Sequence, residues 1–287
     1  MLWLLFAVGS AFFAGIAAVL AKIGVKNVPS TLATAVRTVV VLLFSWGMVF
    51  VAGSQNTIGQ ISGNTLLFLI LSGVSTGASW LCYFKALQLG DVNKVAPIDK
   101  SSTVLTVLLA FLFLGEPLSL PQIFGVLGIG AGTLLMITKK ETAEKIPKGK
   151  SWLLFAFLSA VFASLTSIFG KIGVEQVESN LGTAIRTIVV LVMAWLMVFL
   201  TGEQKDTKNI DKKSGCFLFL SGITTGLSWL CYYRALQDGP ASIVVPVDKL
   251  SIVVTVLFSS LILKEKLSCK AAVGLLLLLT GTGAMLL

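Results

Sequence analysis

The sequence contains no histidine, only 12% charged residues and four cysteines among its 287 positions. Without histidine it holds no His-based nucleophile triad, no helical zinc-protease motif and no histidine proton relay. It also lacks a Gly-x-x-x-x-Gly-Lys-[Ser/Thr] phosphate loop, and no polar stretch is long enough to form an ATP-hydrolysing domain. The cysteines have no paired spacing that would suggest a metal or disulfide framework. Cys82 and Cys231 fall inside apolar runs, where small apolar packing accounts for them. A soluble domain carries about 25% charged residues. The charge deficit, with 56% hydrophobic residues and a mean hydropathy of +0.94, therefore places the chain among membrane proteins.

Nine runs carry no Asp, Glu, Lys or Arg, and the one from 38 to 84 is too long for a single crossing. A spanning helix needs about 20 residues, so that run holds two, broken at the polar stretch 53–63. Ten transmembrane helices are expected near 2–21, 32–52, 65–89, 94–114, 119–138, 151–170, 181–201, 215–238, 243–263 and 268–287. The runs are continuous rather than alternating, which disfavours the strands of a β-barrel. The first run has no basic flank, and its pattern returns in mid-chain, so it is expected to be a spanning helix and not a signal peptide.

Displacing the chain by 149 residues aligns Trp3–Thr138 with Trp152–Leu287 without a gap, giving 65 identities in 136 pairs. This is a tandem duplication. Lys22-Ile-Gly-Val25 returns as Lys171-Ile-Gly-Val174, Thr34-Ala-Val-Arg-Thr38 as Thr183-Ala-Ile-Arg-Thr187, and Ser79-Trp-Leu-Cys-Tyr83 as Ser228-Trp-Leu-Cys-Tyr232. Each copy has five helices, an odd number, so the second enters the membrane inverted. The expected fold is thus an all-α membrane protein of ten transmembrane helices in two inverted five-helix repeats, 1–138 and 151–287, joined by a basic linker, 139–150. Inverted repeats are the architecture of secondary transporters. By these boundaries 17 of the 22 Lys and Arg lie on the linker's side, which the positive-inside rule makes cytoplasmic, with both termini outside. Membrane topology accounts for much of the net charge of +9, so no nucleic-acid partner is expected.

To cross, the fourth segment must extend back through Pro97-Ile-Asp-Lys100, and its mate through Pro246-Val-Asp-Lys249. Ionisable groups at that depth are costly and face a cavity or a partner, although a snorkelling Lys and a capping Asp at a proline break fit as well. Arg37 and Asp99 both lie about six residues into their helices from the linker side, and Trp80, Tyr83 and Lys85 reach a similar depth. Two polar gates are expected: Arg37, Asp99, Lys100 and Tyr83 on the linker side, and Arg186, Asp248, Lys249 and Tyr232 on the other, tied by Arg–Asp pairs. Between them Thr76, Ser79, Ser102 and Thr106, with mates Thr225, Ser228, Ser251 and Thr255 and the walls Trp80 and Trp229, are the candidate substrate residues. Such hydroxyls also commonly bond their own helix backbone. Gly73-x-x-x-Gly77, Gly222-x-x-x-Gly226 and Gly128-x-x-x-Gly132 are small-xxx-small motifs suited to close helix packing.

The two-copy, ten-helix pattern, the Trp-Leu-Cys-Tyr-[Phe/Tyr]-[Lys/Arg]-Ala-Leu-Gln block at 80–88 and 229–237, and Phe113-Leu-Gly-Glu-Pro-Leu-Ser-Leu-Pro-Gln-Ile-Phe-Gly125 resemble the EamA family of the drug/metabolite transporter superfamily. The resemblance covers 3–138 and 152–287, and each half looks like a single-copy EamA protein. It implies a ten-helix basket around a central cavity and the export or exchange of small metabolites such as amino acids. Ten-helix relatives are usually drawn with cytoplasmic termini, from which the lysine bias departs. The expected protein is a monomeric inner-membrane carrier of a small-molecule substrate, embedded in the lipid bilayer, with no catalytic residues, no metal and no cofactor. The rival readings are a structural or assembly component, suggested by the likeness of the halves, and a lipid-modifying enzyme, for which no nucleophile with its base and orienter is evident.

Overall fold

The computed structural model describes residues 2–25, 28–89, 95, 98–99, 101–136, 151–263 and 268–287. Lys100 and the linker 139–150 lie outside the described residues. Among those described there is no strand. The helices are α1 (Leu2–Gly24), α2 (Ser30–Ala52), α3 (Gly63–Leu89), α4 (Ser102–Leu114), α5 (Leu120–Met136), α6 (Ser151–Val174), α7 (Ser179–Thr201), α8 (Lys212–Asp238), α9 (Ala241–Asp248), α10 (Ser251–Leu263) and α11 (Cys269–Ala284). Short 3-10 helices, Ser54–Gln60 and Glu203–Asn209, follow α2 and α7. Gly53 and Gly202 stop those two helices in the left-handed conformation, at φ 70° and 76°, which a side chain would disfavour.

Among the described residues seven stretches are long and apolar enough to cross a membrane: α1, α2, α3, α6, α7, α8 and Ala241–Ile262. Helices α4, α5 and α11 are equally apolar but shorter. Leu43, Val51, Phe113 and Leu261 stand exposed among many other large apolar side chains. Water would not tolerate that surface, whereas lipid would.

The segment expected as one helix at 243–263 is two pieces. Pro246 has no N–H to continue the ladder, and the chain tightens at Lys249 and Leu250, whose N–H groups donate to Pro246 O at 3.1 Å and Val247 O at 3.0 Å. The first copy makes the same tight turn, with Ser101 N donating to Ile98 O at 3.1 Å.

The chain forms two compact units: Met1–Val74 with Phe169–Gly239 and Ser251–Glu265, and Ser75–Ile168 with Pro240–Leu250 and Lys266–Leu287. Each draws on both copies of the repeat. In the first, α1 packs on α8 and α10, and α2 packs on α7 and α8. The α1–α8 pair is antiparallel: Ser10 meets Ser228, Ser221 donates to Ala17 O, and Gly24 faces Leu218. In the second unit α5 packs on its repeat mate α11, and α9 on α4. A Cβ on Gly132 would lie 2.5 Å from Gly274 O, and one on Gly274 would lie 2.6 Å from Gly132 O. Glycine there lets the two backbones touch, as the small-xxx-small motif predicts.

Candidate functional site: polar layers at membrane depth

In the first unit the repeated Thr-Ala-[Val/Ile]-Arg-Thr motif sits early in α2 and α7. Its threonines bond their own helices, Thr38 to Thr34 O at 2.8 Å and Thr187 to Thr183 O at 2.7 Å. The arginines are left to reach across. Gly222 of α8 brings α2 close, since a Cβ there would lie 2.6 Å from Val40 Cβ and 3.1 Å from Arg37 O. From this crossing Arg37 Nη2 donates to Thr225 Oγ1 at 2.7 Å. The Thr225 hydroxyl gives its own proton to Ser221 O at 2.7 Å, so its lone pairs are what meet the guanidinium. Arg37 is half-buried, and its Nε has no hydrogen-bond partner.

The mate crossing, α7 on the start of α3, is built alike: a Cβ on Gly73 would lie 2.6 Å from Val189 Cβ and 3.1 Å from Arg186 O. The side chain takes another course. Arg186 is 2% exposed, and its Nε donates to Ser72 Oγ at 2.9 Å. Its guanidinium carbon lies 5.2 Å from the Trp229 ring centroid and 4.6 Å from that of Tyr233. These rings are four residues apart on α8 and so share a face. A cation over a ring gains about 2 kcal/mol when desolvated, which offsets part of the cost of a buried charge.

Beside this layer two repeated motifs fasten onto each other. Lys171 Nζ donates to Leu236 O and Gly239 O at 2.8 and 2.9 Å, and Gln237 Nε2 donates to Val174 O and Val177 O at 2.6 and 2.7 Å. Both side chains satisfy carbonyls left open at helix ends. This gives the Lys-Ile-Gly-Val and Trp-to-Gln blocks of the second copy a concrete role.

The second unit holds the other polar set. Ser159 Oγ donates to Asp99 Oδ1 at 2.7 Å, and Ser79 Oγ donates to Ser159 O at 3.0 Å. Thr76 and Thr166 hydroxyls meet at 3.3 Å. Tyr83 packs with Ala86, Val95 and Ala156. Glu116 is buried in this unit and accepts N–H bonds from Ala241 at 2.7 Å and Ser242 at 2.8 Å, capping α9 from a distant part of the chain.

Of the remaining expected residues, Thr106 bonds Ser102 O at 2.8 Å, and Thr255 bonds Ser251 O at 2.9 Å. Both make the local backbone bond that such residues favour. Trp80 and Tyr232 are half-buried, Asp248 ends α9, and Lys249 sits in the turn that follows. Sequence reasoning missed Ser10, Ser72, Ser159 and Glu116. The first and third are mates, identical in both copies, and each lies in an otherwise apolar run; that identity was the available signal.

Helix caps differ between the copies. Glu178 caps α7 locally, accepting from Asn180 N and Leu181 N at 3.0 Å each. Its mate is Pro29, and α2 is capped instead by Glu203 Oε2, 3.1 Å from Leu32 N. At the start of α8, outside the apolar span, Asp211 accepts from the Ser214 hydroxyl and from Ser214 N at 3.1 Å. These bonds hold its carboxyl below the ordinary aspartate value.

The EamA-like transporter family model matches residues 1–138 and 150–287. An uncharacterized transporter in the cobO 3′ region of Sinorhizobium sp is 48% identical over 134 residues, which are 47% of this chain and 95% of that protein. An uncharacterized protein of Methanocaldococcus jannaschii is 30% identical over 129 residues, 45% of this chain and 91% of its own. Each relative is about as long as one copy of the repeat. A solved protein structure covers 98% of this chain and 95% of its own, with a TM-score of 0.81 at 17% identity. That likeness concerns the fold alone.

Proposed function

The chain belongs to the EamA-like transporter family, matched over both halves, and from that premise we propose that it carries small polar or amphipathic metabolites, such as amino acids, by alternating access without ATP. This reading takes the apolar segments as ten transmembrane helices in two inverted sets of five, 1–138 and 151–287, working as a monomer in the inner membrane. The linker 139–150 is cytoplasmic and both termini are outside, as the lysine bias favours.

The observation that carries alternating access is the unlike state of two repeat mates: Arg186 is enclosed by rings and a hydroxyl, whereas Arg37 is half-buried on a single hydroxyl. Inverted repeats of related sequence exchange conformations as a carrier turns over. On this reading Arg37, Asp99, Lys100 and Tyr83 form one gate, and Arg186, Asp248, Lys249 and Tyr232 the other. The cargo contacts Thr76, Ser79, Trp80, Ser102 and Thr106 with their mates Thr225, Ser228, Trp229, Ser251 and Thr255. The discontinuous stretch α9–α10 supports the reading, because carriers commonly break helices near the cargo.

The test is flux in proteoliposomes for a panel of amino acids, organic acids, amines and sugars under imposed ion gradients. Saturable movement of at least one class is expected, and none for the whole panel with folded protein would remove the transport reading. Additive effects of Arg37 and Asp99 substitutions in a double-mutant cycle would remove their coupling as a gate pair. Labelling of a cysteine placed at 145 by an impermeant reagent on intact cells would overturn the cytoplasmic linker.

A further inference from the structure

We infer that Arg37, braced on Thr225, anchors a cargo through an oxyanion, a carboxylate or a phosphate group. The inference rests on the transport reading and names the chemistry of its cargo. A guanidinium keeps its charge in proteins and offers five N–H donors in a fixed fork. At membrane depth such a charge calls for a counter-charge. Among the described residues no carboxylate pairs with Arg37: its one hydrogen bond goes to the neutral Thr225 hydroxyl, and Nε is buried without an acceptor. The side chain keeps partial exposure, unlike Arg186, which is 2% exposed.

The Arg37 side chain is also braced at both ends. Thr225 cannot turn its proton toward Arg37, because that proton is committed to Ser221 O. The base of Arg37 is held where its carbonyl lies against Gly222. One donor fixed on a neutral acceptor aims the rest of the fork without neutralising it, which suits bidentate recognition of an oxyanion. Arg186 differs, because its charge is already enclosed by Ser72, Trp229 and Tyr233. The proposal therefore concerns Arg37.

The test heats the full chain in phosphatidylcholine nanodiscs with succinate, glutamate, glycerol 3-phosphate, putrescine, glucose or added phosphatidylglycerol. Succinate, glutamate or glycerol 3-phosphate should raise the unfolding temperature saturably. Arg37→Gln should weaken that apparent affinity about tenfold or more, with partial rescue by Arg37→Lys. Should Arg37→Gln fail to fold, Thr225→Val should still weaken affinity about threefold, and Thr225→Ser should restore it. A structural role alone would lower stability equally with and without ligand. Stabilisation confined to putrescine or glucose, an unchanged affinity in Arg37→Gln, or no response to any probe would overturn the proposal. A response to phosphatidylglycerol alone would also overturn it, since it would make the site a lipid contact. Binding of a carboxylate without flux would remove the transport reading and leave the anion site standing. Arg37-independent flux of an amine would do the reverse.

Discussion

Arg37 and Arg186 occupy the same place in two copies of one motif, and the backbones beneath them cross their neighbours with nearly the same glycine contacts. Their side chains end in different company: a lone hydroxyl for the first, a hydroxyl and two aromatic faces for the second. Sequence thus fixes the crossing and leaves the polar end free to take either arrangement. One guanidinium is enclosed while its twin is partly exposed on a single hydroxyl.

The largest test of this contrast is Arg186→Ala. It removes two ring contacts and a buried hydrogen bond, and should cost about 3 kcal/mol. Arg37→Ala should cost only about 1 kcal/mol, because that guanidinium is half-buried with one bond. Unfolding of both variants in detergent reads the difference, and equal losses would mean that the two layers are equally consolidated. Next comes Glu116→Ala, which strands two buried N–H groups of α9 and should cost about 2 kcal/mol, with Glu116→Gln losing about half as much. Smaller again, Glu178→Ala and Glu203→Ala should each cost about 1 kcal/mol. Hydrogen exchange should place the loosening at the start of α7 for the first and of α2 for the second.

The smallest effect concerns pH. Asp211 has a lowered carboxyl pKa when folded, so its contribution is present at neutral pH and is lost as pH falls through and below the ordinary aspartate value of about 4. Its mate Ser62 caps α3 without charge, its Oγ accepting from Thr65 N at 3.1 Å. Asp211→Ser should therefore flatten the acid limb of a stability–pH profile slightly relative to the parent.

Much of the fold was legible because charge-free runs, turn glycines and the 149-residue repeat each record a local requirement. Eight expected segments coincide with helices to within a few residues among the described residues, while 94–114 and 243–263 are interrupted at Ser101 and Lys249, and Gly73, Gly222 and Gly132 pack as their spacing implied. The break after Pro246 was the less visible alternative, since a proline alone does not say whether the chain kinks or stops. For the site, counting residues gave the position of Arg37 and Arg186 along their helices but not the direction each takes around its helix. Direction is what chose Thr225, Ser159 and Ser72 as partners. Glu116 and Glu203 cap helices whose first turns lie far along the chain, so no local sequence pattern points to them.

That last feature bears on the order of manufacture. The first turn of α2 is complete only when Glu203 has been made, 171 residues after Leu32, and Glu116 waits 125 residues for the N–H group of Ala241. A ribosome delivering the chain from its beginning thus releases an early half with an unfinished helix start and an unmatched acid. The second half, once inserted, completes the first.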